Sequence, residues 1–211
     1  MSTNESTALI AAALRDSGWC HLPSLIAEDT VAALRADLLG KHSSLRPAAV
    51  GRAAQRQQMP QQRSDSTLWL DGVSPVQRGF LDMLDTLRQA LNRQLFLGLT
   101  DCEAHYAHYA PGQFYRRHVD TFQTKDRSAP AENEATQQRV VSAVFYLNDN
   151  WNEADGGELL LVDADAEQEI ARLAPVGGSA VFFLSAEFPH EVLAAKADRY
   201  SIAAWFRNRG A

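Results

Sequence analysis

The sequence predicts an α+β fold in which helices come first and antiparallel strands follow, packed as a sandwich or jelly roll. Three observations predict it. Up to residue 98, apolar residues recur at steps of three or four, the helical period. Beyond Thr100 the pattern changes to short β-prone runs broken by Gly, Pro, Asn or Asp. Between those runs there is no convincing helical stretch of about ten residues, which argues against parallel βαβ units and a Rossmann fold.

Taken in order, Leu9, Ile10, Ala13 and Leu14 form the first helical stripe, which Gly18 can close in a left-handed conformation. Val31, Leu34 and Leu38 mark a second helix ending at Gly40. The third opens with Ser74 as N-cap, Pro75 at the first helical position and Gln77 as the capping-box partner. Its stripe of Val76, Phe80, Leu84, Leu87, Leu91 and Leu95 runs on to Gly98 and reads as a packing element. Between the second and third helices, residues 41–63 carry five of the 20 basic residues and none of the 26 acidic ones. That composition suits a solvated loop and a substrate-contacting flap equally. Strands are expected over 102–110, 114–119, 139–147, 158–162, 179–184, 188–193 and 199–207, and the polar stretch 125–138 reads as a long mobile loop at the barrel mouth.

A chain of 211 residues, 45% hydrophobic and 22% charged, suits one domain around one core and argues against disorder or a fibrous repeat. The net charge of -6 would repel a phosphate backbone, so no nucleic-acid partner is expected. Two cysteines, Cys20 and Cys102, are too few for a disulfide scaffold or a four-thiolate zinc site, which points to the cytoplasm. The first residues lack a basic segment and the apolar run 9–14 is too short to span a bilayer, so neither export nor a membrane is expected.

The chemistry begins at His118-Val119-Asp120. On a strand, side chains at i and i+2 share a face, so the imidazole and the carboxylate are expected side by side. His190, on a second strand, would complete the two-histidine, one-carboxylate triad that leaves three positions open on non-haem Fe(II). His-x-Asp alone is a short motif that ordinary residues match by chance, so context must support it. Counting in twos along the last strand, Arg199, Ser201, Ala203 and Trp205 share one face. A buried guanidinium needs an anion, and the distal carboxylate of a dicarboxylate ligand would suit it, with Tyr146 as a further donor. A structural ion pair for Arg199 and a packed core tyrosine at Tyr146 stay open on the spacing alone.

The ordered motifs Tyr-Ala-Pro-Gly-Gln-Phe-Tyr-Arg-Arg-His-Val-Asp from Tyr109, Arg-Val-Val-Ser-Ala-Val-Phe-Tyr-Leu-Asn from Arg139, Gly-Gly-Glu-Leu, Phe-Pro-His-Glu-Val and Arg-Tyr-Ser-Ile cover about half of the chain. Together they resemble the 2-oxoglutarate and Fe(II)-dependent prolyl 4-hydroxylases, above all the hypoxia-inducible-factor branch and its bacterial relatives. The resemblance implies one oxygenase domain over 1–211: helical support and a substrate loop in 1–98, and a double-stranded β-helix core in 99–211. It implies Fe(II) held by His118, Asp120 and His190, 2-oxoglutarate anchored by Arg199 and Tyr146 and touched by Tyr109, and Trp205 beside the metal. O₂ is the second co-substrate and ascorbate the reductant. The run Arg63-Ser-Asp65-Ser-Thr-Leu-Trp69 resembles the family's mobile finger loop, in which Arg63 and Asp65 meet each other and the peptide, and Arg139 resembles a substrate contact at the rim. A surface ion pair is the other reading of Arg63 and Asp65. Two departures stand out: a longer loop over 121–138, and Ala203 where a polar residue is expected.

The expected reaction is hydroxylation of a proline in a protein, coupled to conversion of 2-oxoglutarate to succinate and CO₂. Elongation factor Tu, which bacterial relatives of this branch modify, is a candidate partner by resemblance alone. Two rivals remain at this stage: a hydroxylase of a free amino acid or small metabolite with the same metal site, and a non-catalytic module using the metal structurally.

Overall fold

The computed structural model describes residues 3–49, 59–121 and 137–209. The expected loop 125–138 lies outside these residues except for its last two, as does 50–58 of the basic segment. Three helices, α1 (Thr3–Asp16), α2 (Glu28–Gly40) and α3 (Pro75–Leu95), pack on one face of a seven-stranded sheet. That sheet has the order β1 (Trp19–Leu22), β9 (Ala180–Leu184), β6 (Gln137–Tyr146), β11 (Arg199–Arg209), β4 (Leu99–Tyr109), β3 (Ser66–Trp69), β2 (Arg46–Pro47). Opposite it lies a four-stranded sheet of β5 (Tyr115–His118), β10 (His190–Val192), β7 (Leu159–Val162) and β8 (Glu169–Leu173). Every strand pair is antiparallel, giving the jelly roll of a double-stranded β-helix.

Alternation along the strands divides the core in two. Tyr106, Phe145, Phe182, Ile202 and Phe206 face the helices and meet Ile10, Leu34, Leu38, Phe80, Leu84 and Leu91. Their neighbours Ala107, Tyr146, Val181 and Phe183 face the small sheet, against Leu159, Leu161 and Val192. The helices thus buttress the large sheet from outside while the gap between the sheets stays available for a site.

The expectation of helices first and strands afterwards needs correction, because β1, β2 and β3 come from the first 98 residues and extend the large sheet at both edges. These runs of two to four residues are too short to show a period, and β8 was missed because its exposed edge has little apolar alternation. The start of α3 also differs in detail. Ser74 Oγ accepts the Gln77 N–H at 3.4 Å, but the Gln77 side chain turns to the preceding loop, accepting from the N–H groups of Asp71 and Gly72 at 3.1 and 3.2 Å. Its amide donates to Asp37 on α2 at 2.8 Å; Asp37 also accepts from the buried Tyr106 hydroxyl at 3.0 Å and pairs with Lys41. A polar network therefore joins α2, α3 and β4, and Gln77 serves it instead of a reciprocal cap. At the other end the C-cap is Phe96, left-handed at φ 55°, and Gly98 two positions on is left-handed as well, at φ 64°.

Leu91 is fully buried under the large sheet. Leu91→Ala should lower unfolding stability by about 2–5 kcal/mol, through lost burial and the cavity left behind. Urea denaturation followed by circular dichroism measures it, and a loss below about 1 kcal/mol would contradict the packing described.

Candidate metal centre and co-substrate pocket

The register of β11 with its neighbours builds the pocket in rows. Arg199 pairs with Tyr109; Ser201 with Ala107 and Tyr146; Ala203 with His105 and Val144; Trp205 with Glu103 and Ser142. These residues, apart from Tyr146, line a cavity of about 1020 Å³ between the sheets, with Arg199 at its deep end and Arg207 and Arg139 towards the rim. All four positions expected on the inner face of β11 are found there.

His118 on β5 faces His190 on β10 as a direct cross-strand partner. The expected strand geometry for His-x-Asp is corrected, because β5 ends at His118 and Asp120 lies in the bend beyond it. The bend is fixed by the Asp120 N–H donating to the Ser185 carbonyl at 3.2 Å. The carboxylate still meets both imidazoles: Oδ1 is 3.7 Å from His118 Nε2 and Oδ2 is 3.6 Å from His190 Nε2. Ligand atoms of the three residues lie within 4.8 Å of one another, the one such cluster among the described residues.

Both histidines are oriented as ligands. His118 Nδ1 is 2.8 Å from the Arg116 carbonyl and His190 Nδ1 is 3.0 Å from the Phe188 carbonyl, so each Nδ1–H donates to the backbone and each Nε2 keeps its lone pair for a metal. Burial, reinforced by repulsion from His190, pulls the His118 pKa well below the usual imidazole range, so it is neutral at physiological pH. For Asp120, burial would raise the carboxyl, but His190 and His118, with Arg139 and the Ser142 hydroxyl, outweigh it and hold it below the usual carboxylate range. Two imidazoles that each turn Nε2 to the same point and one carboxylate, with no thiolate, fit Fe(II) with open positions.

At the deep end Arg199 is 3% exposed. Its Nε donates to the Gly157 carbonyl at 2.7 Å and its Nη1 to Ser201 Oγ at 3.1 Å. Arg199 Nη2 and the Tyr146 hydroxyl are buried with no hydrogen-bond partner among the described residues. The guanidinium carbon lies 4.9 Å from the Tyr109 ring centre and 5.2 Å from that of Tyr146. Burial pushes the Tyr146 phenol up to about 12, so it stays a donor. Two unsatisfied donors in one dry corner fit a carboxylate, because burying them without an acceptor would be costly. Gly157 explains the Gly-Gly motif: at φ 75°, a Cβ there would stand 2.9 Å from Arg199 Cδ.

The expected substrate residues are placed less uniformly. Arg63 and Asp65 form a two-point ion pair at 2.8 and 2.7 Å, with Asp65 fully buried and the Arg63 guanidinium 4.2 Å from the Tyr115 ring centre. This corrects the surface-pair reading. The finger-loop expectation is corrected too: Ser66–Trp69 is strand β3, paired with β4, and Ser64 is hydrogen-bonded to Phe114 beside β5. Arg139 reaches the cavity because a β-bulge on β6 changes the alternation, pairing Phe206 with Val141 but Arg207 with Arg139. Its guanidinium lies 3.7 Å from the Trp205 ring centre and donates to Glu103 at 2.8 and 3.0 Å.

Sequence reasoning missed four contributors. His105 lines the cavity between Trp69 and Trp205, at ring separations of 5.1 Å, and counting back in twos from Tyr109 would have found it. Tyr115 stacks on His118 at 3.5 Å, and Ser142 donates to Asp120 at 2.7 Å; both lie inside the quoted motifs. Ser185, 2.8 Å from Ser142, sits in a turn with no sequence signal.

A jelly roll holding two histidines and a carboxylate above a buried arginine defines the class of mononuclear non-haem iron oxygenases that take a carboxylate co-substrate. Comparison with known proteins agrees. Residues 104–207 match the profile of the 2OG-Fe(II) oxygenase superfamily. A crystal structure of a Pseudomonas putida prolyl-4-hydroxylase is 39% identical, with a TM-score of 0.80, over 97% of this chain and 100% of that one. A Trichoplax adhaerens prolyl hydroxylase, in complex with a hypoxia-inducible-factor peptide fragment, shares the fold at 23% identity and a TM-score of 0.79, over 97% of this chain and 90% of that one. Egl nine homolog 1 of Rattus norvegicus is 28% identical over 153 residues, which span 68% of this chain and 41% of that protein. The chain belongs to the 2OG-Fe(II) oxygenase superfamily and, within it, to the prolyl hydroxylase family. The cofactor set is that of the superfamily, Fe(II) with 2-oxoglutarate and O₂ as co-substrates.

Two outcomes follow from this geometry. His190→Ala should abolish 2-oxoglutarate turnover and iron retention; undiminished iron content would sink the ligand assignment. Arg199→Ala should weaken 2-oxoglutarate at least tenfold while leaving iron binding within a factor of about 2–3, as expected for losing a charge-assisted bidentate contact. Anaerobic titration of the iron to 2-oxoglutarate charge-transfer band reads this directly, and an unchanged affinity would remove Arg199 from that role.

Proposed function

We propose that this chain is a prolyl 4-hydroxylase acting on a proline within a protein, with His118, Asp120 and His190 as iron ligands and Arg199, Tyr146 and Tyr109 around 2-oxoglutarate. The observation that carries the reading is 39% identity over the whole length of a structurally characterised prolyl-4-hydroxylase. The cavity supports it: about 1020 Å³ lies at the upper end of small-molecule sites, leaving room beyond a five-carbon diacid for part of a peptide.

When bound, Fe(II) with 2-oxoglutarate and O₂ supplies the oxidant: one oxygen atom enters succinate as CO₂ leaves, and the other becomes the hydroxyl on the prolyl ring. The residues of the chain do the rest. Arg199 and Tyr146 grip the far carboxylate and so fix the depth at which the co-substrate's keto acid end meets the metal. Ala107 and Ala203, the small residues in the middle rows, leave the channel between anchor and metal clear. Trp205, its indole covered by Arg139, walls the space above the metal, and Arg63, held by the buried Asp65, lines the cavity where the peptide would enter.

Elongation factor Tu is the first protein to test, and the cytoplasm, where Cys20 and Cys102 stay free thiols, is the proposed compartment. No described helix is long and apolar enough to cross a membrane. The alternative, hydroxylation of a free amino acid or small metabolite, is decided by the same experiment. Candidate proteins are incubated with the enzyme, Fe(II), ascorbate and 2-oxoglutarate, then mapped by mass spectrometry for one added oxygen on a proline. Arg63→Ala and Asp65→Ala should slow hydroxylation of the mapped peptide about tenfold or more and spare the slow uncoupled decarboxylation of 2-oxoglutarate. Free proline proving the better substrate, or peptide kinetics intact in both variants, would replace this reading with the alternative.

A further inference from the structure

The Asp120 carboxylate is held by a pair of buried serines. Ser142 Oγ lies 2.7 Å from Asp120 Oδ2 and 2.8 Å from Ser185 Oγ, and both serines are buried. An ionised carboxylate can only accept, so Ser142 gives its one hydroxyl proton to Oδ2. Its oxygen is then free to accept from Ser185, and the two hydroxyls form a one-way chain ending on Asp120. The Ser185 main chain completes the clamp: its carbonyl accepts the Asp120 N–H at 3.2 Å, while its own N–H donates to Val140 on β6 at 3.0 Å. Backbone and side chain of Asp120 are thereby tied to the same pair of strands.

By distance alone the two carboxylate oxygens are alike, at 3.7 Å from His118 Nε2 and 3.6 Å from His190 Nε2. Among the described residues, only Oδ2 accepts from a hydroxyl. We propose that Ser142, backed by Ser185, is a positioning residue that keeps Asp120 a one-oxygen ligand, engaging Oδ2 and leaving Oδ1 for the metal. The count of sites shows why this matters. With two imidazoles and one carboxylate oxygen, a six-coordinate iron keeps three positions, two for the chelating co-substrate and one for O₂. With both oxygens bound it keeps two, and the chelate would fill them. A hydrogen bond to an ionised acceptor is among the stronger ones available in a buried site, which suits the task of holding one oxygen back. The inference concerns the metal site and stands whichever substrate is hydroxylated.

The test uses Co(II) as probe, titrated into the metal-free full chain and followed by its d–d absorption with and without 2-oxoglutarate, beside thermal unfolding of each metal-free variant. Ser142→Ala should bind Co(II) about 10–100-fold more weakly, the usual effect of removing a ligand's hydrogen-bond partner. Its d–d bands should change, and 2-oxoglutarate should bind more weakly to the cobalt form. Ser142→Thr restores the hydroxyl and should recover all three properties. Ser185→Ala keeps the first hydroxyl and removes its donor, so it should shift the bands in the same direction by less. Wild-type affinity and bands in Ser142→Ala, or failure of Ser142→Thr to recover them, would overturn the proposal. Should Ser142→Ala unfold early, Ser185→Ala decides: wild-type bands in that variant overturn it equally.

Discussion

The antiparallel pairing of β11, with β4 on one side and β6 on the other, is the constraint on which the site depends. Because alternate side chains leave a strand on opposite faces, one register decides two surfaces at once. Ile202, Ala204 and Phe206 are delivered to the helices, and Arg199, Ser201, Ala203 and Trp205 to the cavity. Sliding β11 by one residue would expose the first set to the polar cavity and press a guanidinium into the helix layer. The buried apolar face thus enforces the polar one: packing under the helices keeps Arg199 at its depth.

Within the cavity, charge is handled differently at each level. At the rim, Arg139 and Arg207 are answered by Glu103 and Asp101, so that end is a closed network. Beside the metal site, Arg63 is answered by the buried Asp65. At the deep end, among the described residues, Arg199 has only neutral hydrogen-bond partners, a carbonyl and a hydroxyl, and beside it stands a phenol that also lacks an acceptor. The contrast supports the proposed role of Arg199: an arriving anion would gain most where protein charge is unbalanced, and the balanced pairs elsewhere would not compete for it. At the metal end a carboxylate and two imidazole Nε2 atoms converge, so the two ends of the cavity differ in chemistry.

The helices bear on this through rigidity. Asp37 on α2 gathers donors from Gln77 on α3 and Tyr106 on β4, tying the support layer to the central sheet by part-buried hydrogen bonds as well as by apolar contact. Such a network favours one arrangement of the helices, because sliding would separate the part-buried Asp37 carboxylate from its donors.

The sequence by itself determined what periodicity and residue chemistry can carry: three helices with their buried stripes, seven of the strands, the common inner face of Arg199, Ser201, Ala203 and Trp205, and a metal set named from ligand types. These are local properties, legible because a period of two or of about 3.6 needs no partner to be read. Only the tertiary structure decided the rest. The neighbour of each strand, the three early strands at the sheet edges, and the bend that replaces a strand between His118 and Asp120 all depend on hydrogen bonds to residues far along the chain. The bulge that turns Arg139 into the cavity breaks the very period used to read a strand. Ser185 reaches Asp120 from 65 positions away in the chain, through a turn whose own sequence says nothing about a metal. Contacts of that kind are made by the fold closing on itself, and no local pattern encodes them.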